Sequence, residues 1–160
     1  MAARAPSRAR EISVGLGAMR LATAGHLPEA DGIAVLRRAF ELGIRLVDTA
    51  DSYGVDHDDM HAGERLVRVA LGGWPAAERD DVIVATKAGL VRPGGRWLPD
   101  GRPDHLRAAC EQSLLALGVE RIDLWQLHVK DPKVPFEEMA SARWPRCSAP
   151  ARCASSGSAT

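Results

Sequence analysis

At 160 residues the chain is long enough for one ordinary domain with its own apolar core. Lys plus Arg and Asp plus Glu both total 21, so the formal net charge is zero and the basic excess that nucleic-acid binding needs is missing. No apolar run is long enough to span a bilayer, which leaves no membrane partner, and three cysteines (Cys110, Cys147, Cys153) form no paired framework, so a reducing cytoplasm is expected.

The opening MAARAPSRAR is rich in Arg, lacks acids and is followed by no apolar stretch. It reads as a frayed, disordered terminus over residues 1–11 rather than a secretory leader, although an organelle-targeting leader shares its composition. From residue 12, ISVGLGAMRL reads as a short strand running into a loop, with Ile12, Val14 and Leu16 alternating and glycines interrupting. A helix follows over LPEADGIAVLRRAFELG. Pro28 suits its first turn, Ile33, Leu36 and Phe40 repeat at helical spacing, and Gly43 stops it. IRLVDTA has the unalternating apolar character of a buried parallel strand. HAGERLVRVALGG is a second helix, with Leu66, Val69 and Ala70 assigned inward and Gly72 and Gly73 at its end.

DVIVATKAG is the clearest strand. The Gly/Pro-rich LVRPGGRWLPDGRP after it is long enough to be a functional excursion. DHLRAACEQSLLALGV is a third helix, with Leu106, Cys110, Ser113, Leu114 and Leu117 on one face and Cys110 expected as a buried structural thiol. IDLWQLH is the fourth strand, with Trp125 as packing, and VPFEEMA begins another helix.

Four alternations of strand and helix predict parallel strands joined by right-handed crossovers. Periodicity alone does not separate a closed barrel from an open doubly wound sheet, but GLGAMR lacks the third glycine of the dinucleotide fingerprint. Asp48, Tyr53, Lys87 and His128 all fall at or just past the ends of predicted strands. Strand C-termini gather on one face of such a sheet, so a carboxylate, a phenol, an ammonium and an imidazole are expected to converge there. Each alone has a plainer reading, as a loop cap, a loop aromatic, a solvated cation or a packing histidine; the joint placement is what argues for function. Asp56, His57, Asp58, Asp59 and His61 are clustered but lack ligand spacing, so a solvated loop and no metal are expected. Glu64 is read as serving the start of its helix, and Trp97 as a wall of a substrate pocket or a surface tryptophan.

The motifs resemble one family. GIRLVDTADSYG with Glu64 is similar to the first signature of the aldo-keto reductases, VIVATKAGL to their lysine strand, and LRAACEQSLLALGVERIDLWQLH to their second signature. The resemblance covers roughly residues 12–140. It implies a (β/α)8 TIM barrel, an α/β fold of which this chain holds about four units, and a domain over residues 12–140 that is the N-terminal half of such a barrel. It further implies a cofactor, NADPH or less often NADH, and an aldehyde or ketone as the small carbonyl substrate. On it, Asp48, Tyr53, Lys87 and His128 are the catalytic set, and Gly17, Ala18, Met19 and Asp48 bind the cofactor, mostly through backbone.

The chemistry is coherent. A carbonyl that accepts a hydride builds charge on oxygen and needs a proton as it does so. A free phenol holds its proton up to a pKa of about 10, and a cation against it favours the phenolate. A carboxylate keeps that cation charged and aimed. His128 is expected to orient the carbonyl and to share in the proton relay.

After Ala140 the pattern is lost. Residues 141–160 are rich in Ser, Ala, Pro, Arg and Cys without an apolar period, so a disordered or non-native C-terminal tail is expected. Codons compatible with residues 142–160 also encode, in a shifted frame, a helix and strand resembling the family's next unit, and a frameshift is the expected origin of the tail. A half barrel exposes strand edges, so self-association, poor solubility and little or no activity are expected of these 160 residues alone. The alternatives are a noncatalytic half-barrel interaction or regulatory module and a functionless translated fragment.

Overall fold

The computed structural model describes residues 14–141 other than 24 and 26. Ile12, Cys147, Cys153 and the expectations for residues 1–11 and for the tail beyond 141 lie outside the described residues. In chain order the elements are β1 (Leu16–Gly17), α1 (Met19–Ala22), α2 (Glu29–Glu41), β2 (Leu46–Asp48), α3 (Ala62–Gly72), α4 (Ala76–Arg79) and β3 (Ile83–Ala88). There follow β4 (Leu90–Val91), a 3-10 turn (Pro93–Gly95), β5 (Leu98–Pro99), α5 (Pro103–Leu117), β6 (Leu124–Leu127) and α6 (Phe136–Ser141).

Four strands form one parallel sheet in the order β1-β2-β3-β6. Each crossover therefore adds its strand beside the last, on the same side. A doubly wound sheet reverses that direction at a switch point; this one does not, so its winding is that of a barrel. The register sets Gly17 opposite Asp48, Asp48 opposite Ala85 and Lys87 opposite Gln126.

The helices α2, α3 and α5 pack side by side as a layer over the sheet. Their apolar stripes and the strands bury Leu36, Phe40, Val47, Val67, Leu106, Cys110 and Met139 in one core. Phe40 meets Trp74 edge to face, ring centroids 5.6 Å apart. Two of the helices, α2 and α5, stop where an L-residue fits poorly: Gly43 and Gly118 take φ of 90° and 68°, and the amides of Ile44 and Val119 reach back to the carbonyls of Ala39 and Leu114.

Cys110 and Trp125 are buried, as their positions predict. On α3 the inward residue is Val67, wholly buried, and not Val69, which is 44% exposed. Leu66, Val67 and Ala70 share the buried stripe; Val69 lies one residue beyond it. Three elements escape the pattern because they are too short for periodicity: the single turns α1 and α4, and the antiparallel pair β4–β5 inside the Gly/Pro-rich excursion. Among the described residues no helix is long and apolar enough to cross a membrane.

Candidate active site

The C-terminal rim of the sheet gathers the four side chains. Asp48 is the last residue of β2 and Lys87 the penultimate residue of the neighbouring β3. The Lys87 ammonium donates to Asp48 Oδ2 at 2.7 Å and to the Thr49 carbonyl at 2.7 Å. The same Nζ lies 4.9 Å from the centroid of the Tyr53 ring, over its electron-rich face. Tyr53 is buried in the loop after β2. Its carbonyl accepts from the Gly63 amide at 2.8 Å, which ties the loop to the first turn of α3. Gly63 has to be glycine here: a Cβ would lie 3.0 Å from the Tyr53 Cβ and 2.7 Å from Thr49 Oγ1.

His128 follows β6 immediately, its amide bonded to the Ala88 carbonyl at 2.7 Å. Its ring stands 5.6 Å from the Tyr53 ring at 79°, and Nδ1 lies 3.2 Å from Ser52 Oγ. Burial, reinforced by the Lys87 charge and opposed by Asp48, depresses the imidazole pKa to about 4. His128 is therefore neutral at neutral pH. The four residues that the strand ends pointed to lie together at this rim.

Beneath them is a buried polar layer whose contacts the sequence does not mark. Glu64 sits in the first turn of α3, as its position predicts, and makes contacts beyond its own helix. It is fully buried, accepting from Thr86 Oγ1 at 2.5 Å and pairing with His61 Nδ1 at 2.6 Å. Thr86 adjoins Lys87, so Glu64 braces the lysine strand from below. His61 is held in the left-handed region, φ 68°, a conformation rare for a residue with a Cβ. Asp51 is also wholly buried, and among the described residues only the neighbouring Ser52 hydroxyl and amide are turned to its carboxylate. Burial first, then the like charge of Glu64, raises its pKa to about 7 against the opposing pull of His61.

The loops are joined by one arginine. Arg92, 3% exposed, donates from Nη1 to the carbonyls of Ser52 and Gly54 at 3.1 and 2.7 Å. From Nη2 it reaches Val55 and Gly95 at 3.0 and 2.9 Å, and from Nε it reaches Gly95 at 3.2 Å. Its guanidinium lies 3.7 Å from the centroid of Trp97. Nothing in the sequence marks these bonds, because every acceptor is a backbone carbonyl.

Of the expected cofactor positions, Gly17 ends β1, Ala18 is buried and Met19 is partly exposed at the rim. The Ala18 amide bonds the Asp48 carbonyl at 2.8 Å, which fixes this segment beside the site but commits that donor to the sheet. Among the described residues no group of His, Cys, Asp or Glu is arranged to hold a metal. The acidic loop is folded on itself instead: Asp56 Oδ1 accepts from the amides of Asp58 and Asp59, and Asp59 pairs with Arg65.

Phenol, ammonium and neutral imidazole can move a proton and orient a polar oxygen; none of them can supply a hydride.

Residues 13–143 match the model of the aldo/keto reductase family. An uncharacterized oxidoreductase of Schizosaccharomyces pombe is 43% identical over 139 residues, covering 81% of this chain and 42% of that protein. A probable aldo-keto reductase of Glycine max is 42% identical over 135 residues, with 80% and 36% covered. Among solved structures, an aldo-keto reductase from Bacillus halodurans in its holo form superposes with a TM-score of 0.65 at 33% identity, covering 81% of this chain and 40% of that one. A glycerol dehydrogenase from Gluconobacter oxydans gives 0.66 at 34%, with 79% and 38% covered. The chain thus spans about two-fifths of the length of the proteins it matches, and its four strands are part of a (β/α)8 barrel.

Proposed function

The chain belongs to the aldo/keto reductase family, and on that premise we propose that it is an oxidoreductase that reduces an aldehyde or ketone, with Tyr53 as the proton donor. The observation that carries this reading is the Lys87–Asp48 pair, 2.7 Å apart, held against the Tyr53 ring with His128 across from it. A bound reduced nicotinamide, NADPH or alternatively NADH, supplies the hydride. The segment Gly17, Ala18 and Met19, with Asp48, is the part of this chain that would hold it.

The protein's own part is the proton. Charge that builds on the carbonyl oxygen draws the Tyr53 hydroxyl proton, and the Lys87 cation favours the phenolate left behind. Asp48 and the Thr49 carbonyl keep the ammonium aimed. Neutral His128 is a hydrogen-bond partner for the carbonyl: when Ser52 Oγ donates to Nδ1, the ring proton resides on Nε2. The substrate is a small carbonyl compound and the cytoplasm the expected compartment. These 160 residues hold four of the barrel's eight units, so turnover by them alone is slow.

A sensitive product assay tests the reading. Purified protein is incubated with an aldehyde and NADPH deuterated at the transferred position, and the alcohol is analysed by mass spectrometry. Monodeuterated alcohol is expected, with formation falling about 10²–10⁴-fold in Tyr53→Phe. Product that is independent of Tyr53 would overturn the role given to the phenol.

A further inference from the structure

Three rings, one of them the proton donor Tyr53, stand as the inside corner of a box. Trp97 lies 6.4 Å from Tyr53 at 77° and 6.3 Å from His128 at 73°, while Tyr53 and His128 meet at 79°. The three planes are thus mutually near perpendicular. Trp97 is 42% exposed even though Arg92 is stacked on it. It is a tryptophan held by a guanidinium, with a large part of its side chain left exposed.

Arg92 accounts for the fixing. A guanidinium has five N–H donors, and here all five bonds go to backbone carbonyls, three on the Tyr53 loop (Ser52, Gly54, Val55) and two to Gly95. The residues on either side of Tyr53 and the turn leading to Trp97 are held by one planar group. The separation of proton donor and indole is then set by the width of a guanidinium, not left to loop motion.

Resting on the reductase reading above, we propose that Trp97, positioned by Arg92, is the specificity wall of the pocket and selects carbonyl substrates with a flat apolar body, aryl aldehydes or ketones, over short aliphatic ones. An aryl ring stacks on indole or meets it edge to face, as the resident rings already do. A two- or three-carbon chain has no face to offer. Arg92 is a positioning residue in this scheme, and Trp97 the group that touches substrate.

The test uses purified protein, ligand-observed NMR for the dissociation constants of benzaldehyde and propanal, and the deuterated-alcohol assay for turnover of each. Benzaldehyde is expected to bind at least tenfold more tightly than propanal. Trp97→Leu removes most of that preference, and Arg92→Lys, which keeps the charge but not the planar fork, removes about half of it on a logarithmic scale. Because Arg92 acts through Trp97, adding Arg92→Lys to Trp97→Leu produces no further loss, an outcome that a general loosening of the fold would not give. Circular dichroism of each variant excludes unfolding, and Trp97→Phe, which keeps an aromatic face, is expected to restore the preference. Equal affinity for the two aldehydes, or a preference untouched by Trp97→Leu, overturns the proposal. Should benzaldehyde bind through Trp97 while no alcohol forms, the wall stands and the reductase reading fails. Should both aldehydes be reduced with equal kcat/KM in the Trp97→Leu and unmodified proteins, the reductase reading stands and the wall fails.

Discussion

The two rims of the same sheet are built on opposite terms. At the N-terminal rim, polar groups do the ordinary work of ending helices and starting strands. Arg45 donates to the carbonyls of Phe40 and Ile44, Asp123 accepts the Val84 amide, and Gly43 and Gly118 release the chain from α2 and α5. At the C-terminal rim, Thr49, Asp51, Ser52, Glu64 and Thr86 are all fully buried, and His61 is held at positive φ. Buried carboxylates without a full set of partners oppose folding. The core beneath and the glycine-ended helices opposite supply the stability that this rim consumes. An end of a sheet that gathers unfavourable groups is where a site is expected.

Substitutions that separate the two contributions sharpen this contrast. The largest effect on stability is expected in the core, where Phe40→Ala deletes a wholly buried ring packed on Trp74 and destabilises by about 3–5 kcal/mol, read as a lower denaturant midpoint. A loss under about 1 kcal/mol would show the core is not what holds the rim together.

Asp51 tests the rim itself. Its pKa is raised from 3.8 to about 7 by burial and by Glu64, so the native chain holds a proton there that the unfolded chain releases. Stability from this group is greatest below the unfolded value, declines as pH rises from about 4 to about 7, and is level above that. In Asp51→Asn, a neutral side chain of the same shape, denaturation midpoints lose that decline and exceed those of the unmodified protein at neutral pH. An unchanged slope in the variant would place the ionised carboxylate in a solvated setting and break the comparison.

The smallest effect belongs to the opposite rim. Gly118→Ala forces an L-residue to φ 68° at the end of α5, with its Cβ 2.8 Å from Arg68 Nε, and costs about 1–2 kcal/mol. It is expected to leave the His128 titration unaltered, because no rim residue touches it.

The sequence was most informative where elements were long and the chemistry sat at their ends. The stripe of Leu36 and Phe40, the run through Val84 and Ala85, and the glycines after α2 and α5 marked the layers, and the strand ends marked Asp48, Lys87 and His128. Tyr53 was found because it follows β2 by only a few residues. What could not be read depends on approach in three dimensions. Arg92 bonds the carbonyls of Ser52, Gly54 and Val55, about forty positions earlier, and a carbonyl has no residue type to recognise. Glu64 has the spacing of a first-turn acid, and only the side-chain layer beneath the rim reveals that Thr86 and His61 claim it. The sequence points Val69 inward and the fold points Val67, because consecutive apolar residues on α3 leave its phase ambiguous by one position.

All of this depends on a cation, a phenol and an uncharged imidazole being crowded together at one rim, and NMR titration of the His128 ring protons measures that crowding without requiring turnover. The expected pKa is about 4, rising when Lys87→Met removes the neighbouring positive charge. A His128 that titrates near the ordinary value of about 6.5 and does not respond to Lys87→Met would contradict the account.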